Sequence, residues 1–317
     1  MTPPLVSVVL PVYNPGRYLR ECMDSLVAQT YPRLEVVVVD DGSTDESDEV
    51  IRSYADVFDC MVHVRRENRG LVATLNEAIG RARGDLIARM DADDIAHPRR
   101  LAVQVRFLES HPRVDICGTW VERIGEGGQH LGRWRGPRTV EGARMGALFR
   151  SPVFHPSVVF RRTLWEAYGP DLYRPGLDGL EDYELWTRLL AAGHGVANVP
   201  FEGLRYRVHG RSVTGAQRRD IRRRSWQVRR AFLEGLGIES DARATRALCC
   251  LATRLCPEFG EQDCCLRLGS YAYWVGLWLG GRVRRRLGWR AQWHFTRWWA
   301  RFMAGYVALG WRGGAAP

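Results

Sequence analysis

Asp85-Leu86-Ile87-Ala88-Arg89-Met90-Asp91-Ala92-Asp93-Asp94 is the stretch that decides the fold. Leu86, Ile87, Ala88 and Met90 are apolar, and a run this short reads as a buried parallel strand. It stops on a knot of carboxylates. In open α/β sheets, ligands collect beyond the carboxyl ends of the strands. Asp91 and Asp93 are two apart, so in extended chain they face one side. Three acids packed together repel one another unless a cation neutralises them, and oxygen ligands suit a hard ion such as Mg2+ or Mn2+. The alternative is a polar turn in which Asp94 caps the helix that starts near Pro98.

Working outward, residues 5–10, 34–39 and 60–64 read as further strands. Residues 16–28 have helical spacing. A second helix, capped by Ser43 or Thr44, runs to about Tyr54. A third covers 71–83 and is ended by Gly84. The order β-α-β-α-β-α-β predicts an α/β fold, a mostly parallel central sheet with helices on both faces. Right-handed crossovers then bring the turns at 11–14, 40–43 and 91–94 to one edge of the sheet. Beyond Asp94 the pattern predicts helices at 98–110, 139–149 and 180–192. Strands are expected at 114–123 and 153–160, with a Gly-rich loop or hairpin at 125–136. One or two short strands fall within 196–208.

The chain has 317 residues and a formal charge of +10, unevenly spread. Residues 216–317 hold 19 Arg against 7 acids, whereas the first 215 hold 27 basic and 29 acidic residues. This divides the chain into a near-neutral domain, 1–215, and a basic, Trp-rich helical tail, 216–317. All 46 basic residues are Arg, which excludes Schiff-base and P-loop lysine chemistry. The 8 Cys include no Cys-x-x-Cys and read as reduced, buried thiols. A metal site among the five tail cysteines is the alternative. No secretory h-region precedes the first strand, and no uncharged apolar run reaches membrane-spanning length.

In residues 283–309, Arg286, Arg290, Arg297 and Arg301 share one helical face. Leu287, Ala291, Phe295, Trp298, Phe302 and Tyr306 share the adjoining one. Such a helix either lies on an anionic membrane surface or packs as a lid or dimer contact. The expected location is cytoplasmic, and peripheral on the inner face of the membrane if that helix binds lipid. Nucleic acid is not an expected partner, because no recognition motif accompanies the Arg clusters.

Six motifs occur in order: Val8-Val9-Leu10-Pro11-Val12-Tyr13-Asn14, Val38-Val39-Asp40-Asp41-Gly42-Ser43-Thr44-Asp45, Asn68-Arg69-Gly70 with Asn76, Asp91-Ala92-Asp93-Asp94, His155-Pro156-Ser157, and Glu181-Asp182-Tyr183-Glu184-Leu185-Trp186. Tyr206-Arg207-Val208-His209 closes the series. Over roughly residues 5–215 the chain resembles glycosyltransferase family 2. The resemblance implies a GT-A fold and inverting transfer of a sugar from a nucleotide diphosphate. It implies a divalent Mn2+ or Mg2+ cofactor held by Asp93 and Asp91, completed by His209. It further implies nucleotide contacts from Pro11, Val12, Tyr13, Asp40, Asp41, Arg69 and Asp91. A carboxylate accepts the uracil N3–H, which favours UDP over CDP without excluding GDP. Asp182 matches the general base, with Glu181 beside it binding acceptor or donor sugar. His155 matches a position near the acceptor or diphosphate, although a core histidine is an equal reading. Asn76 reads as structural. The acceptor would be a glycan or lipid-linked hydroxyl, in surface polysaccharide or lipid-linked oligosaccharide assembly.

Two other classes compete. A non-catalytic sugar-nucleotide-binding or scaffold protein would share the fold, but the metal, base and nucleotide carboxylates are all present. A phosphatase using Asp91 and Asp93 would want Thr or Val where Ile95 stands, and a Lys that this chain lacks.

Overall fold

Four apolar segments pair in parallel: β1 (Val6–Val12), β2 (Leu34–Asp40), β3 (Met61–Arg65) and β4 (Leu86–Arg89), in the order β3-β2-β1-β4. This is a computed structural model, and it describes residues 2–210 and 218–238, together with Thr296. Every residue of β1 is buried, because alternate side chains enter two different cores. Val9, Val37 and Val39 pack with Val72, Leu75 and Ile79 of α3 (Leu71–Arg81). Val8, Leu10, Val36 and Val38 pack with Leu19, Cys22, Met23 and Leu26 of α1 (Tyr18–Val27) and Ile51 of α2 (Ser47–Arg52).

Two expected helix boundaries have other causes. Gly84 does not end α3, whose last residue is Arg81. It lies against β1, donating its N–H to Ser7 Oγ at 2.7 Å. A Cβ there would stand 2.6 Å from Ser7 N. Neither Ser43 nor Thr44 caps α2. Both are spent on the neighbouring turn: Ser43 Oγ accepts from Asn14 N (3.1 Å) and Thr44 N donates to Asn14 Oδ1 (2.8 Å). Asp45 does the local work at the start of α2, accepting from Ser47 N at 3.1 Å.

The second half of the sheet makes it mixed. β8 (Val159–Arg161) runs antiparallel to β4, and β6 (Ile116–Ile124) antiparallel to β8. β9 (Val196–Arg207) lies parallel to β6, with β5 (Ile95–Ala96) antiparallel on its far side. β7 (His130–Trp134) closes the expected hairpin on β6. α4 (Arg100–Ser110), α5 (Val140–Ala147) and α7 (Glu181–Ala191) match the periodic segments, and Thr139 caps α5 by accepting from Gly142 N. The short α6 (Thr163–Tyr168) was not legible.

The strand expected at 153–160 is largely absent. His155–Ser157 forms a single 3₁₀ turn, since Pro156 lacks an N–H and fixes φ near the helical value. The short strands expected within 196–208 are one continuous β9. Its register jumps beside Pro200, where Thr119 faces Val199 but Trp120 faces Glu202. A Pro inside a strand forces such a slip because it has no ladder donor.

α8 (Arg218–Gly235) follows. Its Ile221 and Val228 pack on Leu180 and Tyr183 at the start of α7, while Phe232, Leu233 and Ile238 join the α3-side core. The amphipathic segment 283–309 and the five tail cysteines lie outside the described residues. Cys22 and Cys117 are buried free thiols, and Cys60 is half-buried. Among the described residues, no helix is long and apolar enough to cross a membrane.

Candidate active site

The C-terminal ends of β2, β1 and β4 lie side by side, so their three polar turns share one edge as the crossover rule requires. After Met90 the chain leaves the sheet in a tight turn, with Asp94 N donating to Asp91 O at 3.3 Å. Asp91, Asp93 and Asp94 therefore converge through a turn and not along an extended strand. One carboxylate oxygen from each lies within 4.8 Å of the others. Asp94 does not cap α4. It is fully buried and accepts Arg207 N at 2.9 Å, while its Oδ2 has no hydrogen-bond partner. Burial, then the charges of Asp91 and Asp93, push its carboxyl well above the usual range. Burial also raises Asp91, against the pull of Arg89.

Two arginines that the motif reading passed over hold this turn. Arg89, on β4 itself, is nearly all buried and grips Asp91 with both terminal nitrogens, at 2.7 and 2.5 Å. Arg207, at the end of β9, donates to Asp93 O (3.1 Å) and Glu126 O (3.0 Å), and it pairs with Glu21 of α1. Two residues on, His209 Nε2 meets Asp93 Oδ2 at 2.7 Å, and its ring stacks on Tyr18 with centroids 5.6 Å apart.

Glu181 and Asp182 open α7. Neither caps it: the residue before the helix is Leu180, without a side-chain cap. Asp182 Oδ1 accepts from Tyr183 N (2.6 Å) and Oδ2 from Ser151 Oγ (3.3 Å). Burial raises its pKa, opposed by the Tyr183 N–H and Arg89. Glu181 is pushed up to about 7 by burial and by the charge of Asp182. The charge of Asp182 also contributes to the rise in Asp91, so the start of α7 and the acid turn are electrostatically joined. His155 is buried, with Nε2 2.9 Å from Tyr173 Oη. Burial and Arg89 hold its pKa well below the ordinary value. Asn76 is structural, bonded both ways to the backbone of Tyr173 (2.8 and 3.1 Å).

In the β2 turn, Asp41 is buried and saturated. It accepts from Arg69 N (2.8 Å) and Gly70 N (2.9 Å) and pairs with Arg66, a partner that the sequence reading missed. It thereby ties β2 to the start of α3. Asp40 is fully buried beside it. The Arg69 side chain is exposed. Pro11 and Val12 are buried, while Tyr13, 56% exposed, projects from the rim.

Residues 7–168, half of the chain, match the family model of Glycosyl transferase family 2. The chain belongs to glycosyl transferase family 2. It is 34% identical over 199 residues to the amylovoran biosynthesis glycosyltransferase AmsE of Erwinia amylovora, an alignment covering 62% of this chain and 73% of AmsE. A glycosyltransferase of Haemophilus influenzae is 28% identical over 250 residues, covering 74% and 76%. The fold recurs in S. aureus TarS residues 1–349, crystallised with UDP-GlcNAc, at TM-score 0.63 and 19% identity over 89% and 81% of the two chains. It recurs in the mannosyltransferase PcManGT from Pyrobaculum calidifontis, solved with GDP-Man and Mn2+, at TM-score 0.55 and 20% identity over 98% and 88%. The expected GT-A fold is therefore present.

For a family 2 transferase, the acid turn has the donor set that a hard cation requires. Three carboxylates converge, one buried oxygen of Asp94 lacks a partner, and no Lys competes for them. The residues fit a divalent ion. Arg89 was legible only as an odd charge in an apolar run. Arg207 stood inside a quoted motif, but its partners lie over 80 residues away.

Proposed function

We propose that the chain is a metal-dependent, inverting glycosyltransferase that moves a sugar from a nucleoside diphosphate, UDP foremost, to a hydroxyl acceptor. The observation that carries this reading is the convergence of Asp91, Asp93 and Asp94, with His209 on Asp93, together with the electrostatic coupling of Asp91 to Asp182, which opens α7 beside Glu181. Asp93, Asp91 and His209 would hold Mn2+ or Mg2+, and such an ion, when bound, neutralises charge on a departing diphosphate. Pro11, Val12, Tyr13 and Arg69 line the nucleotide end, with the buried carboxylates of Asp40 and Asp41, bonded to protein N–H groups, holding its backbone in place from behind. TarS was crystallised with UDP-GlcNAc and PcManGT with GDP-Man and Mn2+, which supports a nucleotide-sugar donor and a metal here.

Asp182 takes the proton from the acceptor hydroxyl as it attacks. A pKa raised by burial suits a carboxylate to that task, because proton affinity then approaches that of the operating pH. With Asp182 as the base on the acceptor side, attack comes from the face away from the diphosphate, and the configuration inverts. His155 shapes the acceptor side through Tyr173 rather than exchanging protons. The catalytic unit is 1–215 with the first tail helix packed on α7. A role in surface polysaccharide or lipid-linked oligosaccharide assembly, with 283–309 resting on an anionic cytoplasmic membrane surface, completes the reading.

The test is the melting temperature of the full chain with UDP, GDP, CDP and TDP, each with and without Mn2+. A ligand at about 100 times its dissociation constant adds roughly 2.7 kcal/mol. The expected result is a Mn2+-dependent rise with UDP that is lost in Asp93→Ala. No rise with any nucleotide would overturn the donor assignment.

A further inference from the structure

A second convergence of ligand-type atoms lies beside β2, away from the acid turn. Asp40 is fully buried. Its Oδ1 accepts from Ser43 N at 2.9 Å, but its Oδ2 has no hydrogen-bond partner. Facing it are Asp48 Oδ1, from the first turn of α2, and His63 Nε2, from the edge strand β3. Both atoms are shut off from solvent, and neither has a hydrogen-bond partner. All three lie within 4.8 Å of one another. Nε2 and Oδ1 are 3.6 Å apart, too far for a hydrogen bond.

Buried polar atoms are ordinarily paired, and three orphans in one place call for a shared partner. The partner must accept lone pairs. Two of the atoms belong to carboxylates, which only accept when ionised. The third belongs to an imidazole that burial holds toward its neutral form. With the ring proton on Nδ1, three lone pairs converge, one more than the two protons of a water can serve, and a divalent ion satisfies all three at once. Bonds of about 2.0–2.2 Å set tetrahedral ligand atoms roughly 3.3–3.6 Å apart, which the 3.6 Å pair already meets. One imidazole with two carboxylates is a donor set of the zinc type.

Two guanidinium groups stand nearby. Arg52 Nε and Arg65 Nη1 engage the other oxygen of Asp48, Oδ2, at 3.1 and 3.0 Å. Arg65 Nε also approaches a proposed ligand atom, Asp40 Oδ2, at 3.5 Å. Arg65 is half exposed and can swing clear. It is the resident counter-ion with which a metal competes.

We propose that Asp40 Oδ2, Asp48 Oδ1 and His63 Nε2 form a structural site for a divalent ion of the zinc class. The ion clips the edge strand β3 and helix α2 to the end of β2, and so stiffens the turn that presents Asp41. The site is separate from Asp91, Asp93 and His209, and His63 and Asp48 have no part in the transfer chemistry.

The test counts Zn2+ bound per full chain after EDTA treatment, by equilibrium dialysis with excess Mg2+ present; zinc taken up at the acid turn beside His209 is common to wild type and variants and cancels. Wild type is expected to bind one equivalent more than His63→Gln and Asp48→Asn, each verified as folded by its melting curve. Zinc held by thiols is common to all three chains and cancels. Amide exchange across 47–52 and 61–65 slows on zinc addition in wild type only. Arg65→Gln keeps the extra equivalent and binds it more than about tenfold tighter, because its competitor is gone. Equal zinc counts in wild type and both ligand variants, or an Arg65→Gln chain that binds no tighter, would overturn the proposal. Either result is independent of whether the chain transfers sugar.

Discussion

Replacing Asp182 with Asn isolates the proton-accepting role of that carboxyl. The side chain keeps its shape. An amide oxygen can still accept from Tyr183 N, now bonded at 2.6 Å, and the Ser151 hydroxyl, now donating at 3.3 Å, can rotate to accept from the new NH2. Stability should therefore change little. What disappears is the lone pair that removes the acceptor proton. General-base catalysis contributes roughly 10²–10⁴-fold, so the barrier should rise by about 3–5 kcal/mol. Substrate binding should hold, since Asp182 is not among the proposed nucleotide and metal ligands. The assay is initial-rate release of UDP from a UDP-sugar, with melting shifts by UDP and Mn2+ measured on the same samples. The expected outcome is a loss of at least a hundredfold in turnover with an unaltered nucleotide shift. Turnover within about threefold of wild type would remove Asp182 from the mechanism. Loss of both readouts would mean that the side chain builds the pocket instead.

The neighbouring acid gives a pH signature. Glu181 titrates near 7 instead of its ordinary 4.5, so the folded state binds the extra proton and stability falls as pH rises from about 4.5 to 7. Glu181→Gln removes that loss, and its stability relative to wild type should grow across this window by at most about 3 kcal/mol, read by urea unfolding at pH 5 and pH 8; parallel curves would refute it. Arg89→Met should cost about 3–5 kcal/mol in the same assay, because it leaves the Asp91 charge without its buried partner. A cost below about 1 kcal/mol would show that Asp91 does not depend on Arg89. Gly84→Ala should destabilise by about 1–3 kcal/mol, since the new methyl stands 2.6 Å from the Ser7 backbone; a neutral change would mean that the loop can retreat.

Much of this protein was written locally. The parallel half of the sheet, the order of its helices and the sharing of one edge by three polar turns follow from apolar periodicity, glycines and crossover handedness. All of these act over a few residues or by a general rule. The carboxylates of the cleft were legible for the same reason, as acids stranded at strand and helix ends. Misreadings arose where the governing contact was remote. Gly84 looks like a helix stop, but the need for glycine comes from Ser7 on a neighbouring strand. Ser43 and Thr44 look like caps until Asn14 claims them. The sequence by itself therefore determined the α/β framework and which residue types could do chemistry. Only the tertiary structure decided their partners: Arg89 for Asp91, Arg207 for Asp94, Arg66 for Asp41, and His63 facing Asp40 and Asp48. The reason is physical. Charge pairing depends on where strands fall in register, and that register is set by burial of the whole sheet and not by the residues that happen to meet.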